Sequence, residues 1–140
     1  MGARTKSRKR ALDVLFESEL QDRPVGGTLE ERRSPDHEYP ANDYAALLVE
    51  GVIDHQTRLD ALIAEHAVGW TLDRMPAVDR NLLRIGVYEI VFRDDVPDQV
   101  AVSEAVELAR DLSTDESPRF VGGLLGRIVE VKAAGEVDAS

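Results

Sequence analysis

Residues 76–95 read PAVDRNLLRIGVYEIVFRDD, and this stretch decides the fold. Pro76 suits the first turn of a helix, because its ring presets the backbone angle and its missing N–H is one the helix would leave unpaired anyway. From there to about Phe92 or Arg93, Leu82, Leu83, Ile85, Val87, Ile90, Val91 and Phe92 cover most of the helix circumference. A helix that is apolar on nearly every side belongs at the centre of a bundle, with other helices packed around it.

Working outward, Asp94 to Pro97 end that helix, and Ser103 is placed to cap a short one to about Leu112, with Glu104 and Glu107 in its first turn. Ser113 to Pro118 form a second polar break. A final helix then starts near Ser117 or Pro118 and continues to about Val131, with Phe120, Val121, Leu124, Leu125, Ile128 and Val129 apolar. Gly122 and Gly123 lie early in it, each costing roughly 1 kcal/mol of helix propensity relative to alanine, and their usual use is close packing on a neighbour.

Upstream, Gly69 ends a long helix that Asn42 caps, with Tyr44, Leu48, Val52, Leu59, Leu62 and Ile63 on one face, and Trp70 to Met75 form a short junction. Residues 21–40 contain Pro24, Gly26, Gly27, Pro35 and Pro40 and read as a long connection with one helical turn near Leu29 to Arg32. Lys6 to Leu20 lacks Gly and Pro and spaces Leu12, Leu15, Phe16 and Leu20 as a helix does. No segment alternates as a strand would, so the fold class is all-α. The expected organisation is a single domain over residues 1–140, with 1–5 and 132–140 frayed.

The charge distribution is lopsided. Arg4, Lys6, Arg8, Lys9 and Arg10 fall within the first ten residues, which hold no acid. The whole chain has 17 Lys+Arg against 27 Asp+Glu, a net charge of -10, so the other 130 residues carry -15. A polyanion is attracted by the head and repelled by the body, which predicts a local grip on phosphates. Stepping back from Leu12 by fours reaches Arg8 and Arg4, so those two continue the packed stripe of the first helix.

Signals for chemistry are sparse. There is no cysteine, which excludes disulfides, thiolate metal sites and a thiol nucleophile. His37, His55 and His66 lack metal-ligand spacing, no glycine-rich phosphate loop is present, and no apolar run approaches the ~20 residues that span a bilayer. Glu89, inside the most apolar helix, is expected to pair with an arginine such as Arg84. Neither an enzyme nor a metal or other cofactor is expected, and a cytoplasmic protein is. Arg119-Phe120 admits two readings: a core phenylalanine beside a surface charge, or a phosphate contact beside a base-stacking ring. Phe16 admits the same two.

Four blocks carry a family resemblance: KSRKRALDVLFE (6–17), LLRIGVYE (82–89), VPDQVAVSEAVELAR (96–110) and RFVGG (119–123). In order and spacing they resemble the NusB transcription antitermination factors, and the sequence is similar to the actinobacterial, particularly mycobacterial, members. The resemblance implies a fold of two small three-helix units. It also implies binding of the boxA element of ribosomal RNA leader transcripts together with NusE, a small-subunit ribosomal protein, within an RNA polymerase antitermination complex, with no membrane attachment. By matching position it places Lys6, Arg8, Lys9, Arg10, Phe16, Asp79, Glu116, Arg119 and Phe120 on the RNA side. Some relatives are homodimers, the mycobacterial type among them. Phe16 stands where the family often has Tyr, which keeps the stacking face and loses a hydroxyl. Two other readings stand beside this one. An acidic interaction module would bind a basic ribosomal protein and touch RNA nonspecifically. A related helical domain also precedes some ribosomal RNA methyltransferases, but this chain holds no room for their cofactor-binding fold.

Overall fold

The computed structural model describes residues 2–137, and these form six α-helices and one 3-10 turn, with no strand among the described residues. In chain order the helices are α1 (Ala3–Leu20), α2 (Val25–Arg32), α3 (Asp43–His66), α4 (Ala77–Phe92), α5 (Asp98–Leu112) and α6 (Ser117–Ala133), with the 3-10 turn at Leu72–Arg74. The expected frayed ends partly lie outside the described residues, at 1 and 138–140; within them, helix already begins at Ala3 and continues to Ala133. The chain divides into two compact units, Met1–Asp54 and His55–Ser140, with the division inside α3.

In the unit Met1–Asp54, α1 buries Ala11, Leu12, Val14 and Leu15 and packs on α2. Leu20, expected on the same stripe, is 74% exposed, because the helix ends there and the chain turns away. Where the sequence suggested a single turn, α2 is an eight-residue helix. Only Thr28 and Leu29 of it are buried, too few for a periodic signal, and Arg32 fastens it by donating to Glu17 on α1 at 2.7 Å. Asn42 caps α3 as expected: its Oδ1 accepts the Ala45 N–H at 2.9 Å, while its Nδ2 donates to the buried Ser7 hydroxyl at 2.8 Å.

In the unit His55–Ser140, α4, α5 and α6 pack on one another. The central helix is as its sequence dictates, with Asn81, Leu82, Leu83 and every residue from Ile85 to Val91 buried. α5 starts at Asp98, five residues before Ser103, whose hydroxyl instead bonds the Val100 carbonyl. The stripe that buries it runs through Ala101, Ala105, Leu108 and Ala109, mostly alanines that a search for bulky apolar spacing passes over. Gly86 marks the closest approach: a Cβ there would lie 2.8 Å from Cδ1 of Leu125 on α6. Gly122 has a similar use, with Val106 at 3.1 Å, whereas Gly123 is exposed. The Arg84 guanidinium grips Asp60 with two bonds of 2.8 and 3.0 Å. At the end of α3 the Arg127 guanidinium donates twice to the His66 carbonyl, and Gly69 follows at φ +82, a conformation that favours glycine.

Candidate nucleic-acid interface

The basic head is the first half of a helix whose arginines lie on tyrosines. Lys6 is exposed and Lys9 and Arg10 are half-buried, while Arg8 is only 3% exposed. The Arg8 guanidinium lies 5.9 Å from the centre of the Tyr44 ring, and Arg4, exposed, covers the same ring at 4.2 Å. Arg10 lies over Tyr39 at 4.7 Å and also meets Asp13 at 3.3 Å. Each such cation–π contact contributes about 0.5–1 kcal/mol at an exposed site. Thus Arg8 continues the packed stripe while Arg4 reaches the same tyrosine from the exposed side, and the cations open at the surface of this helix include Arg4, Lys6, Lys9 and Arg10. Phe16, one turn beyond Leu12 on α1, is half-buried. Further along, Arg32 meets the carboxylates of Glu17 and Asp13, at 2.7 and 3.9 Å, which offsets negative charge close to the basic turns.

The unit His55–Ser140 brings three of the other four predicted residues, Asp79, Glu116 and Phe120, to one cleft of about 450 Å³, with Arg119 on the hollow beside it. Asp79, 2% exposed, forms part of its wall and is tied down. Its carboxylate accepts the Ser113 hydroxyl at 2.6 Å and the Ser117 hydroxyl at 2.8 Å. The Thr114 N–H donates to the Ser117 oxygen at 3.2 Å, and the Thr114 and Ser117 hydroxyls lie 2.7 Å apart. This knot fixes the turn between α5 and α6, and so fixes Glu116 at the rim and Phe120 one turn into α6. Arg119 is exposed beside Phe120 and lines an adjoining hollow with Arg110, which pairs with Glu107.

Trp70 is the residue that sequence reasoning passed over. It is 50% exposed in the cleft, and its ring meets Phe120 at a centroid distance of 6.4 Å and an angle of 61°. The junction that carries it is held by Arg80, which donates to the carbonyls of Leu72 and Met75 at 2.7 and 3.1 Å. Trp70 lies in irregular chain, where no periodicity marks it; the usable signal was a lone tryptophan between glycine and threonine in a polar junction.

The chemistry on offer is binding. Half-exposed rings, fixed carboxylates and nearby arginines suit unpaired bases and phosphates. Among the described residues no group of three or more His, Cys, Asp and Glu could hold a metal ion, and no helix is long and apolar enough to cross a membrane.

Comparison with known proteins points the same way. The sequence model of the NusB family matches residues 5–130. The chain is 58% identical to the transcription antitermination protein NusB of a Nocardioides species, over 94% of this chain and 97% of that protein. Among solved structures, a NusB of T. maritima is similar with a TM-score of 0.83 and 32% identity, covering 93% of this chain and 92% of that one. A chain from a crystal structure of the antitermination factors NusB and NusE in complex with double-stranded RNA is similar with a TM-score of 0.75 and 26% identity, covering 91% of this chain and 96% of that one.

Proposed function

The chain belongs to the NusB family, and from that premise we propose that it is a transcription antitermination factor. It binds boxA RNA of ribosomal RNA leader transcripts together with the ribosomal protein NusE, as part of an RNA polymerase antitermination complex in the cytoplasm. It acts by binding alone, with neither catalysis nor a cofactor. The observation that carries this reading is the likeness, over nine-tenths of the chain, to a family member solved with NusE and RNA. The RNA site is built from Lys6, Arg8, Lys9, Arg10 and Phe16 on α1, and from Asp79, Glu116 and Phe120 at the cleft with Arg119 beside it. Their roles differ. Lys6, Lys9 and Arg10 meet phosphates, and Arg119 supplies charge beside the ring of Phe120. Arg8 supports Tyr44, and Asp79 positions the turn that bears Glu116.

The test is fluorescence anisotropy with a labelled boxA RNA and a scrambled control, at two salt concentrations, with and without NusE. Preference for boxA that sharpens with NusE is expected. Each phosphate neutralised on a single strand contributes roughly 0.7 to the log–log salt slope, so Lys6→Ala with Lys9→Ala should flatten it by about 1.4. Equal, weak binding to both RNAs with tight binding of NusE would instead favour the acidic interaction module that the -15 body suggests.

A further inference from the structure

We infer that the cleft in the unit His55–Ser140 is a slot for one unpaired nucleobase that carries an exocyclic amino group, and that Trp70 is its stacking wall. The inference rests on the RNA-binding reading above and adds a residue and a base chemistry to it. Three observations carry it.

First, an indole left 50% exposed is held in place, since Arg80 clamps the chain on which it stands. Second, Trp70 and Phe120 meet at 61°, so they form a corner and not a parallel stack. A planar base laid on one ring meets the other with its edge. The cleft, about 450 Å³, falls in the size range of small-molecule sites, which accommodates a base and its sugar. Third, the charged groups that line the cleft itself are all acids: the exposed Asp115 and Glu116 beside the buried Asp79, while Arg110 and Arg119 line the adjoining hollow, with Asp115 standing between the two.

Carboxylates repel phosphates, so the two acids match the base and not the backbone. As pure acceptors they pair with the amino groups of cytosine, adenine or guanine. Uracil turns two carbonyls and a single N–H toward them and is disfavoured. The arginines in the neighbouring hollow take the phosphate of the same nucleotide.

The chain has a single tryptophan, so its intrinsic fluorescence reports this one position. Titration of the full chain with labelled boxA RNA, followed by anisotropy and tryptophan emission together, separates binding from stacking. Quenching of Trp70 in step with binding is expected. Trp70→Ala should weaken binding roughly 5- to 150-fold, the range for removal of one base–aromatic stack, and Trp70→Phe should recover part of it. Short oligomers rC6 and rU6 test the base chemistry: rC6 should quench more strongly, and Glu116→Ala should narrow the difference. RNA that binds without quenching Trp70 overturns the slot and leaves the antitermination reading intact. RNA that does not bind at all overturns both, and equal quenching by rC6 and rU6 overturns the selection for an amino group.

Discussion

Replacing Asp79 probes whether the cleft is built or merely present. Its carboxylate, 2% exposed, accepts two serine hydroxyls at 2.6 and 2.8 Å, one from Ser113 just after α5 and one from Ser117 at the start of α6. A hydrogen bond to a charged group contributes roughly 1.5–3 kcal/mol, so removing both would cost about 3–6 kcal/mol if the serines were left with nothing. They are not, because the Ser113 and Ser117 hydroxyls lie 3.0 Å apart and Thr114 also reaches Ser117. Removing Asp79 also removes the cost of burying its charge. Together these reduce the expected loss for Asp79→Ala to about 2 kcal/mol. Asp79→Asn keeps the shape, and a serine hydroxyl can turn to accept from the new amide, so about 1 kcal/mol is expected. With a urea slope of about 2 kcal/mol/M, the midpoint should fall by roughly 1 M for Ala and half that for Asn, read by far-UV circular dichroism. In Asp79→Ala the emission of Trp70 should also shift as the turn loosens beside it. A loss below about 0.5 kcal/mol for Ala, or equal losses for Ala and Asn, would refute the bracing role.

Other substitutions test the packing. Gly86→Ala brings a Cβ to 2.8 Å from Cδ1 of the fully buried Leu125. Overpacking of about 1–3 kcal/mol then outweighs the ~1 kcal/mol gained in helix propensity, so a lower urea midpoint is expected and a raised one would contradict the close approach. Arg84→Ala breaks the two-bond grip on Asp60 and should cost about 1–3 kcal/mol, with Arg84→Lys recovering little because an ammonium lacks the fork; full recovery by Lys would show that charge alone matters. Asn42→Ala removes the cap of α3 and the partner of Ser7, a loss of about 1–2 kcal/mol by chemical denaturation, and an unchanged midpoint would mean the cap contributes nothing.

Sequence legibility tracked side-chain size and sequence distance. The central helix was readable because its bulky residues cover every side. The start of α5 was not, because Ala101 and Ala105 bury little area each, although they are 1% and 4% exposed. α2 was legible only as one turn near Leu29 to Arg32, because its two glycines and two buried residues leave no stripe. Partnerships over long separations were invisible: Arg84 lies 24 residues from Asp60, and Asp79 lies 34 and 38 residues from its serines. At the cleft, Phe120 and Arg119 were legible as a pair of adjacent residue types, and the family resemblance added Asp79 and Glu116. Trp70 had neither spacing nor resemblance to mark it.

The arginines of α1 that lie over Tyr44 and Tyr39 have a thermodynamic consequence. A long side chain that is mobile before binding loses rotamer freedom, about 1.5–2 kcal/mol for arginine, when a phosphate immobilises it. One already resting on a ring has surrendered part of that freedom in the unbound protein. Calorimetry should therefore find a smaller entropic penalty per phosphate for Arg4 and Arg10 than for Lys6. Converting Tyr39 to alanine should make binding less favourable through entropy while leaving the number of charges, and hence the salt dependence, unchanged.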